Sequence, residues 1–126
     1  MSGLDPITLM IVGTLAELAT KIAPVVLSRR KGFVEKDLEE FYKSVKEYHG
    51  RVTDILMKRK GSPKRLSKHI AEDKLFGFLA DHETKEKIAN GLLYVGSLPR
   101  AKRYDRSAVL RAILKVLEEI RATHLA

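Results

Sequence analysis

The chain contains no cysteine, no tryptophan and no glutamine, and only one asparagine, Asn90. Without thiols it can form neither a disulfide framework nor a thiolate metal site. Scarce amides beside abundant lysine and glutamate are the bias expected where heat selects against labile side chains, so a hyperthermophilic source is expected. Aromatic residues make up 6% of the chain and no RNA-recognition signature is present, which argues against reading bases on an aromatic platform. The four histidines, His49, His69, His82 and His124, are not paired at ligand spacing. No glycine-rich phosphate loop or nucleophile elbow occurs. His69 and Asp73 are four residues apart and resemble half of a proton-transfer pair, but ordinary surface pairing accounts for that spacing. A nuclease would have to be assembled from scattered acids such as Glu72, Asp73 and Asp81. The chain therefore reads as non-catalytic, with no cofactor and no metal.

What is present is helical periodicity. No stretch sustains the period-two alternation of a half-buried strand, and the 126 residues suffice for one all-α domain of about five helices. Asp5 and Pro6 have the chemistry of a cap and first helical residue, opening a long apolar helix that runs to about Arg30. Pro24 should kink it. Its polar stripe of Thr14, Glu17, Lys21, Pro24 and Ser28 is narrow, so the helix is expected to be covered on most sides. Residues 7–27 are long enough to span a bilayer, but Glu17 and Lys21 lie at the centre and argue for a packed soluble helix.

A second helix is expected over residues 33–60, where Val34, Leu38, Phe41, Val45, Tyr48, Val52 and Ile55 alternate spacings of four and three. That heptad seam suits contact with a second subunit or, equally, the core of the chain itself. Gly61, Ser62 and Pro63 end this helix and start a third, over residues 63–80. Asp81 should cap a fourth over residues 82–95, and a loop containing Pro99 leads to a fifth, with Leu110, Ile113, Leu114, Leu117 and Ile120 on one face.

The net charge of +8 is concentrated. Arg29, Arg30 and Lys31 form one cluster; Lys58, Arg59, Lys60, Lys64, Arg65 and Lys68 a second; Arg100, Lys102, Arg103 and Arg106 a third. These stretches include one acid, Asp105, and the remaining 105 residues are net negative. Clustered donors at helix ends are what a polyphosphate surface needs, since they release counterions together. Ser62-Pro63-Lys64-Arg65 resembles the Ser-Pro-basic-basic element of histone tails, although a helix cap followed by two exposed basic residues is the better reading. Tyr104, among the third cluster, can stack on a base, but one tyrosine is no platform and a packing role is expected. Backbone neutralisation, with double-stranded DNA as the expected partner, is the better reading.

In overall plan the chain resembles the small, cysteine-free, all-helical major coat proteins of filamentous viruses that infect hyperthermophilic archaea. Those proteins dimerise, wrap double-stranded DNA in its A form and can carry extended arms that close around it. The resemblance implies a virion structural protein whose three basic clusters line a DNA channel. Residues 7–27 and the seam of the second helix would then meet a homo-oligomeric partner, a related second coat subunit, or envelope lipid. The rival readings are a helix-turn-helix regulator joined at Asp81, the small helical subunit of an archaeal RNA-guided defence complex, and a membrane-associated basic protein. The N-terminus lacks the basic region of a secretory signal, so a virion or cytoplasmic location is expected.

Overall fold

In the computed structural model, which describes residues 3–126, the described residues form six α-helices and no strand. They are α1 (Pro6–Arg30), α2 (Glu35–Thr53), α3 (Pro63–Ala71), α4 (Lys74–Ala80), α5 (His82–Ser97) and α6 (Arg103–Ala122). A π turn, Asp54–Lys58, extends α2, and a 3-10 turn, Thr123–Leu125, follows α6. All six contribute to one core, so no arm stands apart among the described residues.

Helix α6 is the hub. It buries Val109, Leu110, Ile113, Val116, Leu117 and Ile120 and packs against α1, α2 and α5. Gly91 lets α5 approach closely, since a Cβ there would meet the Ile113 side chain at 3.2 Å. Helices α1 and α6 run parallel and are tied at both ends. At the start, the Asp105 carboxylate accepts from the Asp5 backbone N–H at 3.0 Å and from the Thr8 hydroxyl at 2.6 Å. Because Thr8 donates to Asp105, its oxygen is left to accept from the Tyr94 hydroxyl of α5. At the far end Arg30 donates to the Thr123 carbonyl and lies over the Tyr42 ring.

The heptad seam of α2 is consumed by this core. Phe41, Val45, Tyr48, Val52 and Ile55 are buried within the chain itself and cannot serve as a subunit contact. Only Leu38, half-buried, and Val34, 65% exposed, remain accessible. A single amphipathic helix cannot tell a neighbouring helix of its own chain from one of another chain, and here α4 and α6 fill that role.

Helix α1 departs from expectation in the opposite sense. Its inward stripe is narrow, with Thr8, Leu15, Ala19, Ile22 and Val26, and it passes unbroken through Pro24. The outer face leaves Leu9, Met10, Gly13, Ala16, Thr20 and Leu27 in solvent, so the helix is covered on one side only.

Local polar chemistry explains the other differences. The single helix expected over residues 63–80 is broken at Asp73, which takes an extended conformation and accepts from the Phe76 N–H at 3.0 Å. A short polar side chain that satisfies a free amide competes with helix continuation. The buried Tyr48 hydroxyl also donates to Asp73, and burial together with that carboxylate pushes the Tyr48 hydroxyl far above its usual range, keeping it a donor. Asp73 is thus a cap and a core anchor rather than a partner of His69. Ser62 caps α3 through the Arg65 N–H, the ordinary reading of Ser-Pro-Lys-Arg. Neither Asp5 nor Asp81 caps its helix through its side chain: Asp5 lies 3.4 Å from Lys102, and Asp81 lies 3.5 Å from Arg29.

The Asp105 ties carry a pH signature. The Thr8 hydroxyl, then the Asp5 N–H and the nearby Lys102, hold its carboxyl below the usual range. A group depressed on folding stabilises the native state above its unfolded pKa, and that contribution is lost as pH falls through the folded pKa. Asp105→Asn should therefore show a shallower loss of stability than the wild type between about pH 5 and pH 2. Denaturant melts across that range measure it, and identical slopes would remove Asp105 from the acid response.

Candidate nucleic-acid interface

Between the end of α2 and the start of α6 lies a cleft of about 550 Å³. Its floor and sides include Ile55, Leu56 and Met57 of the π turn and Leu110 of α6. Its charge comes from Arg59, Arg100, Arg103, Arg106 and Arg111. Tyr104 and Ser107 complete the lining, which contains no carboxylate and no imidazole. The one acid in this part of the sequence, Asp105, is turned inward and is 2% exposed. Five guanidinium groups therefore share a concavity from which negative charge is excluded.

Each arginine is placed by a specific piece of backbone. Arg106 donates to the Val95 carbonyl at 3.0 Å, satisfying an acceptor in the last turn of α5 and fixing the α5–α6 corner. Arg111 donates from Nε to the Ser107 hydroxyl at 3.2 Å, one turn earlier on the same helix. The Arg103 guanidinium lies 5.2 Å from the centroid of the Tyr104 ring. Tyr104 itself is 70% exposed, so it has no packing role. Arg59 follows the π turn at φ +51°, and the Lys60 N–H closes that turn on the Asp54 carbonyl at 3.2 Å.

Two of these positions run against local preference. A left-handed residue after a helix end is ordinarily glycine, and a side chain there costs about 1 kcal/mol. Yet Arg59 occupies it, with Gly61 only two residues on at φ +102°. The first turn of a helix favours acids, and Arg103 stands at the first residue of α6. The same two features also occur away from the cleft, with Asp81 at φ +82° and Lys74 at the first residue of α4.

The other basic residues of the sequence reading are distributed differently. Lys64 lays its stem against Gly96, where a Cβ would come within 2.7 Å of Lys64 Cγ, and so stands beside the α5–α6 turn. Lys60 and Arg65 are exposed near it in sequence, while Lys58 and Lys68 make loose pairs with Asp54 at 3.8 Å and Glu72 at 4.0 Å. Lys102 turns to Asp5 instead of the cleft. The first cluster does not join this surface. Arg29 donates to the Phe78 carbonyl and pairs with Asp81, and Arg30 binds Thr123. Those contacts, with exposed Lys31, lie at the opposite end of the 20-residue α6, about 30 Å away at 1.5 Å per residue. Glu35, Asp37, Glu39 and Glu40 follow them directly. A channel lined by all three clusters is therefore corrected to one cleft built from the second and third.

Arg111 was absent from the sequence reading because it lies outside the contiguous basic run. Its signal was helical period: Arg103, Arg106 or Ser107, and Leu110 or Arg111 recur along one side of α6. The helix-turn-helix expected at Asp81 is not formed there, because Asp81 alone joins α4 to α5, whereas that motif needs a turn of three or four residues. No protein family, curated protein or solved structure matches this chain.

Arg59→Gly should raise stability by up to about 1 kcal/mol in denaturant melts by relieving the left-handed side chain. The same variant should weaken binding of a phosphate-rich probe. A variant that loses stability would show that the Arg59 side chain supports the fold.

Proposed function

We propose that this protein is a non-catalytic nucleic-acid-binding domain that takes the sugar-phosphate backbone into the arginine cleft without reading sequence. The observation that carries this reading is the convergence of Arg59, Arg100, Arg103, Arg106 and Arg111 on a concavity whose lining holds no acid, with Asp105 turned inward and Asp54 beside Lys58. Guanidinium groups match phosphate oxygens in pairs, and a cluster of them releases condensed counterions on binding. Binding is favoured over chemistry because the lining offers Ser107 and Tyr104 hydroxyls but no base to activate them. Indifference to sequence is favoured because amide side chains, which pair with adenine edges, are nearly absent. Asn90, the one asparagine, lines a separate hollow with Met10, Ile11, Thr14 and Lys87.

A packaging role, in which many copies coat double-stranded DNA, is a second and more demanding reading. It requires a surface between copies, and with the α2 seam buried the fold leaves the outer face of α1 for that purpose. By length and composition α1 as a whole could also meet lipid, with a window of mean hydropathy 1.6 of which 22% is buried, and its exposed side carries the Glu17–Lys21 ion pair. Electron microscopy of the protein with long duplex DNA separates these possibilities: a filament of regular repeat supports a coat, and irregular decoration restricts the chain to a binding domain.

Affinity for a nucleic-acid probe should fall steeply with salt, by about 0.9 log units per log salt for each neutralised phosphate of a duplex. Arg103→Glu and Arg111→Ala should each flatten that slope by about one phosphate. Arg103→Glu should do so while gaining about 0.3–1 kcal/mol of stability, because an acid suits the first turn of α6. Lys31→Glu, at the other end, should leave the slope unchanged. Equal losses from Lys31 and Arg111 substitutions in salt-dependent anisotropy titrations would move the binding surface away from the cleft.

A further inference from the structure

We propose that the cleft accommodates one unpaired nucleotide, with its phosphate on the arginines and its base against Tyr104 and Met57. This rests on the nucleic-acid reading above and narrows it to single-stranded or locally unpaired substrate. A duplex backbone presents phosphates along a convex ridge and asks only for exposed cations, which Lys60, Lys64 and Arg65 already supply outside the cleft. The cleft offers something else. It is concave, its volume of about 550 Å³ falls within the range of small-molecule sites, and Leu56 and Met57 give it apolar surface beside the cations, over the buried Ile55 and Leu110. Paired bases are stacked inside a duplex and cannot reach such a surface, whereas an unpaired base can.

The rim carries the second observation. Tyr104 is 70% exposed and Met57 67% exposed, and both line the cleft. Among the described residues, no hydrogen bond in the structure engages the Tyr104 hydroxyl, so neither packing nor polar anchoring accounts for its position. The Arg103 guanidinium lies over one face of the Tyr104 ring, and the exposure of that ring leaves surface on which a base can stack next to the cation. Arg59 lines the same cleft from the end of α2, so the cleft's cations come from both α6 and the end of α2.

The test uses the full chain in anisotropy titrations with four probes of equal length. These are a single strand, its blunt duplex, an abasic strand with the same phosphates, and inorganic polyphosphate as competitor. The single strand should bind more tightly than the abasic strand and the duplex. Tyr104→Ala should weaken single-strand binding by about 5- to 100-fold, the range expected for one base stacked on an aromatic side chain. It should leave abasic and polyphosphate binding unchanged, and Tyr104→Phe should retain wild-type affinity. Because Tyr104 is exposed, the alanine variant keeps the fold, which circular dichroism verifies. If the abasic strand and duplex match the single strand, or if Tyr104→Ala weakens all probes equally, the unpaired-nucleotide proposal is overturned while backbone binding stands. If no probe binds at low salt, the nucleic-acid reading fails as well.

Discussion

The inward turn of Asp105 is the constraint on which the rest of the structure depends. Its carboxylate gathers the Asp5 N–H and the Thr8 hydroxyl, and through Thr8 the Tyr94 hydroxyl, so that α1, α5 and α6 meet at one buried polar point. A carboxylate is tolerated in such a place when it is hydrogen-bonded, and here Oδ2 accepts from both donors. The same turn removes negative charge from the neighbouring cleft. Had Asp105 faced outward among Arg100, Arg103 and Arg106, it would have paired with them and neutralised part of the surface. Fold stability and the character of the cleft thus depend on one side-chain orientation.

Around that point, local preference and the demands of the cleft pull in different directions. Arg59 holds a left-handed conformation, and Arg103 opposes the dipole of α6. Elsewhere Ser62 caps α3, Asp73 caps α4, and Gly61 takes a positive φ after the π turn. Departures from local preference are not confined to the cleft, since Asp81 holds φ +82° and Lys74 opens α4. The opposite end of the molecule is of another kind, with Arg29 and Arg30 used to satisfy carbonyl oxygens and acids crowded beside them.

Much of this was legible in the sequence. Apolar spacing identified all-α architecture and the inward face of α6, and the Gly61-Ser62-Pro63 punctuation located the junction between α2 and α3. The concentration of cations into short stretches was also plain, and two of those stretches supply four of the five arginines of the cleft. Arg111 stands outside the contiguous basic runs and joins the cleft through the helical period of α6. The break at Asp73 escaped because an Asp within an amphipathic run is ambiguous until Tyr48 and the Phe76 N–H both reach it.

Periodicity and charge spacing, properties of neighbouring residues, were determined by the sequence alone because they depend on helix geometry within a few turns. Which apolar face meets which was decided only by the tertiary structure. The α2 seam became core, since α4 and α6 were available to cover it, while the outer face of α1 was left uncovered. The fate of each basic cluster was decided in the same way. Parallel packing of α1 on α6 sends Arg30 to one end and Arg103 to the other, and no local pattern encodes that separation.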